Sequence, residues 1–332
     1  MIAAPALVAL VVSALFQPLA IALLRRHSIL DLPNERSSHV LPTPRGGGLV
    51  VIASVLVGFL LLPFTTATIG LAITVACAGL LGVLEDLKGV RVSVRLLAQT
   101  VCCLPLLLTI TSEYTSWWLV WVVGGAFIVG AINCVNFMDG VNGITGGFAI
   151  AVGLSLCLVF STIGQPVLAG AALVLVAACV GFLPYNALQA RIFLGDSGSY
   201  GIGAAAAGLC LLACVLGASP EAAVAPFAIY IADTSVTLLR RLRAGEPIHQ
   251  AHRTHIYQRL TDRGWSHGGV AAYVSILTLL CGILGWSGMA ISQSRIAADI
   301  AIGVLVVGYL GTPKLLARSS WRRGAESRPG GR

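Results

Sequence analysis

Four stretches of this 332-residue chain bring carboxylates, amides and cations together at spacings that could do chemistry. LLGVLEDLKGVRVSVR sets Glu85 beside Asp86. Adjacent helical residues point about 100° apart, so the two cannot serve one ligand equally; a solvated helix end with Lys88 as counter-ion is the plainer reading. NCVNFMDGVNGITGG repeats Asn133, Asn136 and Asp139 every three residues, one helical face of amides and a carboxylate followed by glycines that let backbone approach a ligand. A turn capped locally by Asn and Asp would use the same residues. NALQARIFLGDSGSYG carries Asn186, Arg191, Asp196, Ser197 and Ser199. An acid before a Ser/Gly turn that opens a helix suits a phosphate and Mg²⁺ together, with backbone N–H groups toward the oxygens and the acid toward the metal; a plain N-cap Asp is the alternative. IADTSVTLLRRLRAGEPIHQAHRTHIYQRL places Asp233 inside an apolar run, ahead of His249, His252, Arg253 and His255. Three His at i, i+3 and i+6 suggest a metal box, but an anion grip by His252, Arg253 and His255 fits the cationic loop better.

The elements that must position these residues are membrane helices. Fifty-seven per cent of the residues are hydrophobic and 10% charged, where soluble domains carry about 25%; a soluble enzyme and a disordered chain are both excluded. Apolar runs are continuous rather than alternating, so helices are expected and not a β-barrel. The fold class is all-α and polytopic, with about 11 spans near 2–24, 47–63, 66–84, 94–110, 117–135, 143–162, 167–185, 199–217, 222–239, 269–290 and 296–313. The first run is too long for a signal-peptide core and is followed by Arg25 and Arg26, so it reads as an anchor.

Orientation follows from charge. Of the 21 Lys and Arg, all but Arg295 fall in alternate segments beginning after the first span, as do all 6 His. This puts the N-terminus outside and the C-terminus in the cytoplasm. Of the 13 acids, only Glu113, Glu221 and Asp299 lie on or near the outer side. The 9 Cys lie in or at the ends of apolar runs with no C-x-x-C pair, and read as packing residues. Residues 1–317 form one membrane domain; 318–332 is a basic, Gly-rich tail expected to be disordered against anionic headgroups.

Acids for a divalent cation beside His and Arg for phosphate oxygens suggest a phosphorylated substrate meeting a lipid at the inner surface. An intramembrane aspartyl protease is disfavoured because residue 193 is Phe where that class has Gly, and no Tyr-Asp pair lies in an earlier span. A metal transporter would want ligands at the midplane, and no span contains His.

From Asp31 to about Leu260 the chain resembles the polyprenyl-phosphate N-acetylhexosaminyl-1-phosphate transferases (glycosyltransferase family 4). Five ordered motifs carry the resemblance: DLPNERSSHVLPTPRGGG, LEDLKGVRVSVRLLAQ, NCVNFMDGVNG, NALQARIFLGDSGS and AHRTHIYQRL. The stretches around 233–241 and His252–Leu260 look most like the WbpL-like branch that starts O-antigen synthesis; the phospho-MurNAc-pentapeptide translocase branch has a different His-rich loop. The resemblance implies transfer of an N-acetyl-aminosugar 1-phosphate from a UDP-sugar to undecaprenyl phosphate, releasing UMP, at the cytoplasmic face of a bacterial inner membrane. It implies Mg²⁺, or Mn²⁺ in its place, with Asp196 as ligand and Asp139 as an acid near the reacting phosphates. Asn136 and Asn186 become positioning amides, His252 and His255 holders of the sugar phosphate, and Asp86 the second acid of the family's Asp-Asp pair. The implied partners are the lipid acceptor, the UDP-sugar and the bilayer, with no nucleic acid; a homodimer is left open.

Glu85 stands where the pair has its first Asp, Ser37 where a basic residue is usual, Gln189 where Pro is usual and Asn142 where many members have Asp. Glu85 puts a base role for that pair in doubt. An acceptor phosphate with second pKa about 6 needs little deprotonation near pH 7; bringing two anions together is the larger task. A transporter or flippase, and an inactive homologue, are the alternatives that UMP release excludes.

Overall fold

The computed structural model describes residues 3–32, 41–114, 118–246 and 253–326. Thirteen helices follow in order: α1 Ala3–Arg26, α2 Gly47–Leu60, α3 Thr66–Lys88, α4 Val92–Glu113, α5 Gly125–Met138, α6 Ile144–Thr162, α7 Pro166–Asn186, α8 Gly195–Val215, α9 Pro220–Val224, α10 Ala228–Arg243, α11 Ile256–Thr261, α12 His267–Ala290 and α13 Arg295–Glu326. The fold is all-α and polytopic. Among the described residues ten helices are long and apolar enough to cross a membrane, where the sequence suggests about 11. The difference is α2: it occupies the expected second span but has 14 residues, about 21 Å against a hydrocarbon thickness of about 30 Å. The segment expected to be irregular from 318 begins as helix, since α13 continues to Glu326.

Local chemistry sets the helix ends. Thr65 and Thr68 close a capping box at the start of α3, Ser266 caps α12, and Ser219 followed by Pro220 opens α9. The span 220–243 is interrupted by a 3₁₀ turn, Ala225–Phe227, that contains Pro226. A π-helical turn, Val120–Gly124, precedes α5. Pro105 lies inside α4, and the neighbouring Leu106 N–H is taken by the Thr74 hydroxyl of α3 at 3.2 Å.

The column of the bundle is α8, whose apolar window is 83% buried. Its neighbours approach through glycine: a Cβ on Gly48 of α2 would stand 2.2 Å from Gly198 Cα, and one on Gly82 of α3 would stand 2.3 Å from the Asp196 carbonyl. Close backbone contact of this kind is how small residues drive association where lipid removes the hydrophobic advantage. On the far side α1 lies along α7, with Ser13 donating to Ala178 O at 2.7 Å and Tyr185 to Ala14 O at 2.9 Å. The nine Cys are free thiols, six of them buried, in or beside the helices.

Candidate active site

A short non-helical segment builds the site. β1 (Leu30–Asp31) pairs antiparallel with β2 (Thr43–Pro44). Beyond β2 the chain runs beside the entry to α8: Phe193 N–H donates to Pro44 O at 2.8 Å, Gly46 and Gly47 donate to Phe193 O at 3.1 and 2.9 Å, and Gly48 donates to Leu194 O at 2.8 Å. Arg45 is thereby held between the last turn of α3 and the first turn of α8. Its Nε lies 2.8 Å from Asp86 Oδ1 and its Nη2 lies 3.0 Å from Asp196 Oδ1. Asn136, near the end of α5, donates to the same Asp196 oxygen at 2.8 Å and to Ser199 Oγ at 3.0 Å.

Asp86 also accepts two backbone N–H groups of α8, Asp196 at 3.0 Å and Ser197 at 3.1 Å. This corrects the reading of that turn as a cradle for phosphate oxygens, because two of its amides are occupied by a carboxylate of the chain. An acid at a helix N-terminus is favoured by the helix dipole. Gly195 is required here: its φ is +76°, and a Cβ would stand 2.7 Å from Asp86 Oδ2.

Glu85 points elsewhere, as the angular offset demands. It accepts from Val90 N–H at 2.9 Å and pairs with Arg95 at 3.3 Å. Its counter-ion is Arg95 rather than Lys88, so the two neighbouring acids do separate work and Glu85 is not part of the Arg45 cluster.

Asp139 ends α5 and accepts a 2.6 Å hydrogen bond from Thr145. Burial pushes its carboxyl up to about 7, against the Thr145 hydrogen bond; Asp196 and Asp86 add to the rise and Arg45 opposes it. The expected common face of 133, 136 and 139 does not form. Asn133 donates to Gln99 Oε1 at 2.6 Å and to Val129 O at 2.8 Å, away from the carboxylates. Asn186 is likewise occupied, accepting from Gly143 N–H at 2.7 Å and donating to Ile192 O at 2.9 Å. It staples two site loops together rather than reaching for a ligand. Arg191 is exposed, with its guanidinium 5.8 Å from the centre of the Tyr185 ring.

In the fourth stretch His255 is buried, and its Nδ1 lies 3.0 Å from Asp233 Oδ1. Its ring stacks on Tyr257, whose hydroxyl donates to Phe137 O beside Asp139. Arg253 pairs with Asp262 at 3.1 Å. His252 and His249 lie outside the described residues.

Among the described residues no group of three or more His, Cys, Asp or Glu could hold a metal. Asp196, the expected ligand, is engaged at Oδ1 alone among the described contacts, whereas both oxygens of Asp86 are taken. Mg²⁺ takes one or two carboxylates and completes its shell with water and substrate phosphates, so this donor set fits a shared cation rather than a closed cage. Sequence reasoning missed Arg45, because loop arginines are expected from topology alone; the Gly46–Gly48 run that follows it was the available signal. It also missed Thr145 as the partner of Asp139.

Two carboxylates from separate helices, joined by one guanidinium at the end of a buried helix column, define a polytopic membrane protein with a compact polar centre. Residues 68–214 match the family described as glycosyl transferase family 4. The chain is 31% identical over 255 residues to a probable undecaprenyl-phosphate N-acetylglucosaminyl 1-phosphate transferase of Bacillus subtilis (strain 168), covering 72% of this chain and 71% of that one. It is 30% identical over 331 residues to a decaprenyl-phosphate N-acetylglucosaminephosphotransferase of Mycobacterium tuberculosis (strain CDC 1551 / Oshkosh), covering 84% and 80%. A phospho-N-acetylmuramoyl-pentapeptide-transferase of Synechococcus sp. (strain JA-3-3Ab) is 33% identical over 177 residues, about half of each chain. The chain belongs to glycosyl transferase family 4.

Proposed function

We propose that this protein transfers an N-acetyl-aminosugar 1-phosphate from a UDP-sugar to undecaprenyl phosphate and releases UMP, at the cytoplasmic face of a bacterial inner membrane. The observation that carries the reading is Arg45 bridging Asp86 and Asp196, with Asn136 on the same Asp196 oxygen. N-acetylglucosamine is the first sugar to test, because the Bacillus and mycobacterial relatives are both named for it. The initiation of O-antigen or another envelope polysaccharide is the fitting place for the product, supported by the Asp233–Arg241 and His252–Leu260 stretches. The charge asymmetry of the loops supports an outside N-terminus and a cytoplasmic C-terminus.

Asp196, with Asp86 beside it, would hold Mg²⁺. The ion would supply charge neutralisation between donor and acceptor phosphates and on the departing UMP. The protein's own residues do the rest. Arg45 fixes the two carboxylates in one orientation, and Asn136 sets the Asp196 rotamer. Arg253 and His255, with His252 carried over from the resemblance, would hold the sugar phosphate. The acceptor is mostly a dianion near pH 7, since its second pKa is about 6, so Asp139 need not remove a proton from it. The buried acid instead sits beside Asp86 and Asp196 with its carboxylate held by the Thr145 hydroxyl.

The test is UMP release by purified protein in detergent or vesicles, with UDP-N-acetylglucosamine, undecaprenyl phosphate and Mg²⁺. Release that needs all three, and disappears in Asp196→Ala, supports the proposal. Full activity in Asp196→Ala at saturating Mg²⁺ overturns the metal assignment. UMP release only with UDP-MurNAc-pentapeptide overturns the envelope-polysaccharide reading in favour of a peptidoglycan-precursor enzyme, and no release with any UDP-sugar overturns the transferase reading itself.

A further inference from the structure

Asp233 is fully buried inside a membrane-spanning helix, where a carboxylate is expensive and needs partners. It has five. His255 Nδ1 and the Ile256 N–H each lie 3.0 Å from Oδ1, and the Thr237 hydroxyl donates to that oxygen at 3.2 Å. Tyr257 N–H donates to Oδ2 at 3.2 Å and the Tyr309 hydroxyl donates to it at 2.6 Å. One side chain on α10 therefore fastens the start of α11 and the middle of α13 around a single imidazole. Two backbone amides and two hydroxyls could be satisfied by a neutral acceptor. Of the five donors only the imidazole can carry a full positive charge, and only it gains decisively from a carboxylate rather than an amide.

We propose that Asp233 is a positioning residue for His255: it fixes the proton on Nδ1 and orients the ring toward the phosphate of the sugar nucleotide. The proposal rests on the phosphate-holding reading of His255. The logic is that of any acting imidazole whose second nitrogen is held by an acid, which sets both tautomer and direction. Tyr309 tightens the arrangement from the opposite side, being itself fully buried against Asp233. Tyr257 carries it toward the Arg45 cluster, because its ring stacks on His255 and its hydroxyl meets Phe137 O, two residues before Asp139. Arg259 of α11 also lies within electrostatic reach of the carboxylate.

Two measurements test this. ¹⁵N spectra of histidine-labelled wild-type protein, with His255 assigned through His255→Gln, should show Nδ1 protonated; a bare Nδ1 overturns the proposal. This signal is recorded without substrate, so it stands whether or not the chain releases UMP. In the transfer assay Asp233→Asn should lower kcat/KM by roughly 10- to 100-fold and alter the His255 ring signal. Added to His255→Gln it should cost little further, because the two residues act as one unit. An equal loss in both backgrounds means Asp233 serves the fold alone and overturns the proposal, as does full activity in His255→Gln. Tyr309→Phe, which removes one donor and leaves the carboxylate, supplies a folded intermediate case; it should keep the Nδ1 proton and lose activity only in the presence of His255. Loss that is independent of His255 again overturns the proposal.

Discussion

Asp86 on α3 accepts the backbone N–H of Ser197 on α8 at 3.1 Å, while Glu85, one residue earlier, turns away to Arg95. Neighbouring acids thus stand in different environments. Asp86→Ala frees two amides of a buried helix start and one side of Arg45, each such charge-assisted bond being worth about 1.5–3 kcal/mol. We expect loss of transfer together with a fall in melting temperature. Glu85→Gln keeps an acceptor for Val90 N–H and should retain most activity, with a smaller loss of stability. UMP release and thermal melts of the two variants in parallel check the contrast.

Arg45 meets Asp86 through Nε and Asp196 through Nη2. A lysine offers one nitrogen where two directions are required. Arg45→Lys should therefore lower kcat on the order of 10²-fold with little change in melting temperature. Steady-state kinetics with folded, monodisperse protein decide it, and wild-type kcat would show that the bridge is dispensable.

The raised pKa of Asp139 has a thermodynamic sign. In the unfolded chain the group ionises near 3.9; in the folded protein burial holds it protonated up to about 7. Between those values the native state binds more protons than the unfolded one, so this residue's contribution to stability falls as pH rises from about 4 to about 7 and is flat beyond. Asp139→Asn should flatten that part of the melting-temperature profile. Thr145→Val, which removes the hydrogen bond that lowers the pKa, should extend the slope to higher pH.

A Cβ on Gly140 would stand 2.1 Å from the Tyr257 hydroxyl. Gly140→Ala should inactivate the protein by displacing Tyr257 and the ring of His255 stacked on it. Tyr257→Phe removes the nearest clashing atom, so the double variant should recover part of the activity lost in Gly140→Ala. An assay of the two single variants and the pair checks this suppression.

Asn186 fills both ends of its amide with backbone and is buried. Asn186→Leu leaves a buried N–H and a buried carbonyl unpaired, at about 1–3 kcal/mol each. Its effect should appear as a lowered melting temperature and lower yield, with KM for the UDP-sugar unchanged in the folded fraction.

Apolar run length made the helix bundle legible in the sequence, and the scarcity of charge pointed to Asp86, Asn136 and Asp196. Direction was not legible. Spacing puts Asn133, Asn136 and Asp139 on one helical face, yet which amide is consumed depends on Gln99 of α4, Asp196 of α8 and Thr145 of α6. The direction of Asn186 was hidden for the same reason: nothing local says that its partners are Gly143 and Ile192. The shortness of α2 was hidden because Leu61–Phe64 keeps the run apolar after the helix has stopped. Arg45 was masked by its abundance class, one loop arginine among several.

The pairing of Asp86 with the α8 amides spans 110 positions of sequence. During synthesis at about 5–20 residues per second, α3 is made several seconds before the amides that complete it. Through that interval neither the amides that Asp86 accepts nor the Phe193 and Leu194 contacts that place Arg45 exist. A chain halted before Gly195 therefore lacks both amide partners of Asp86. The polar centre and the docking of α3 on α8 are closed by the same contact.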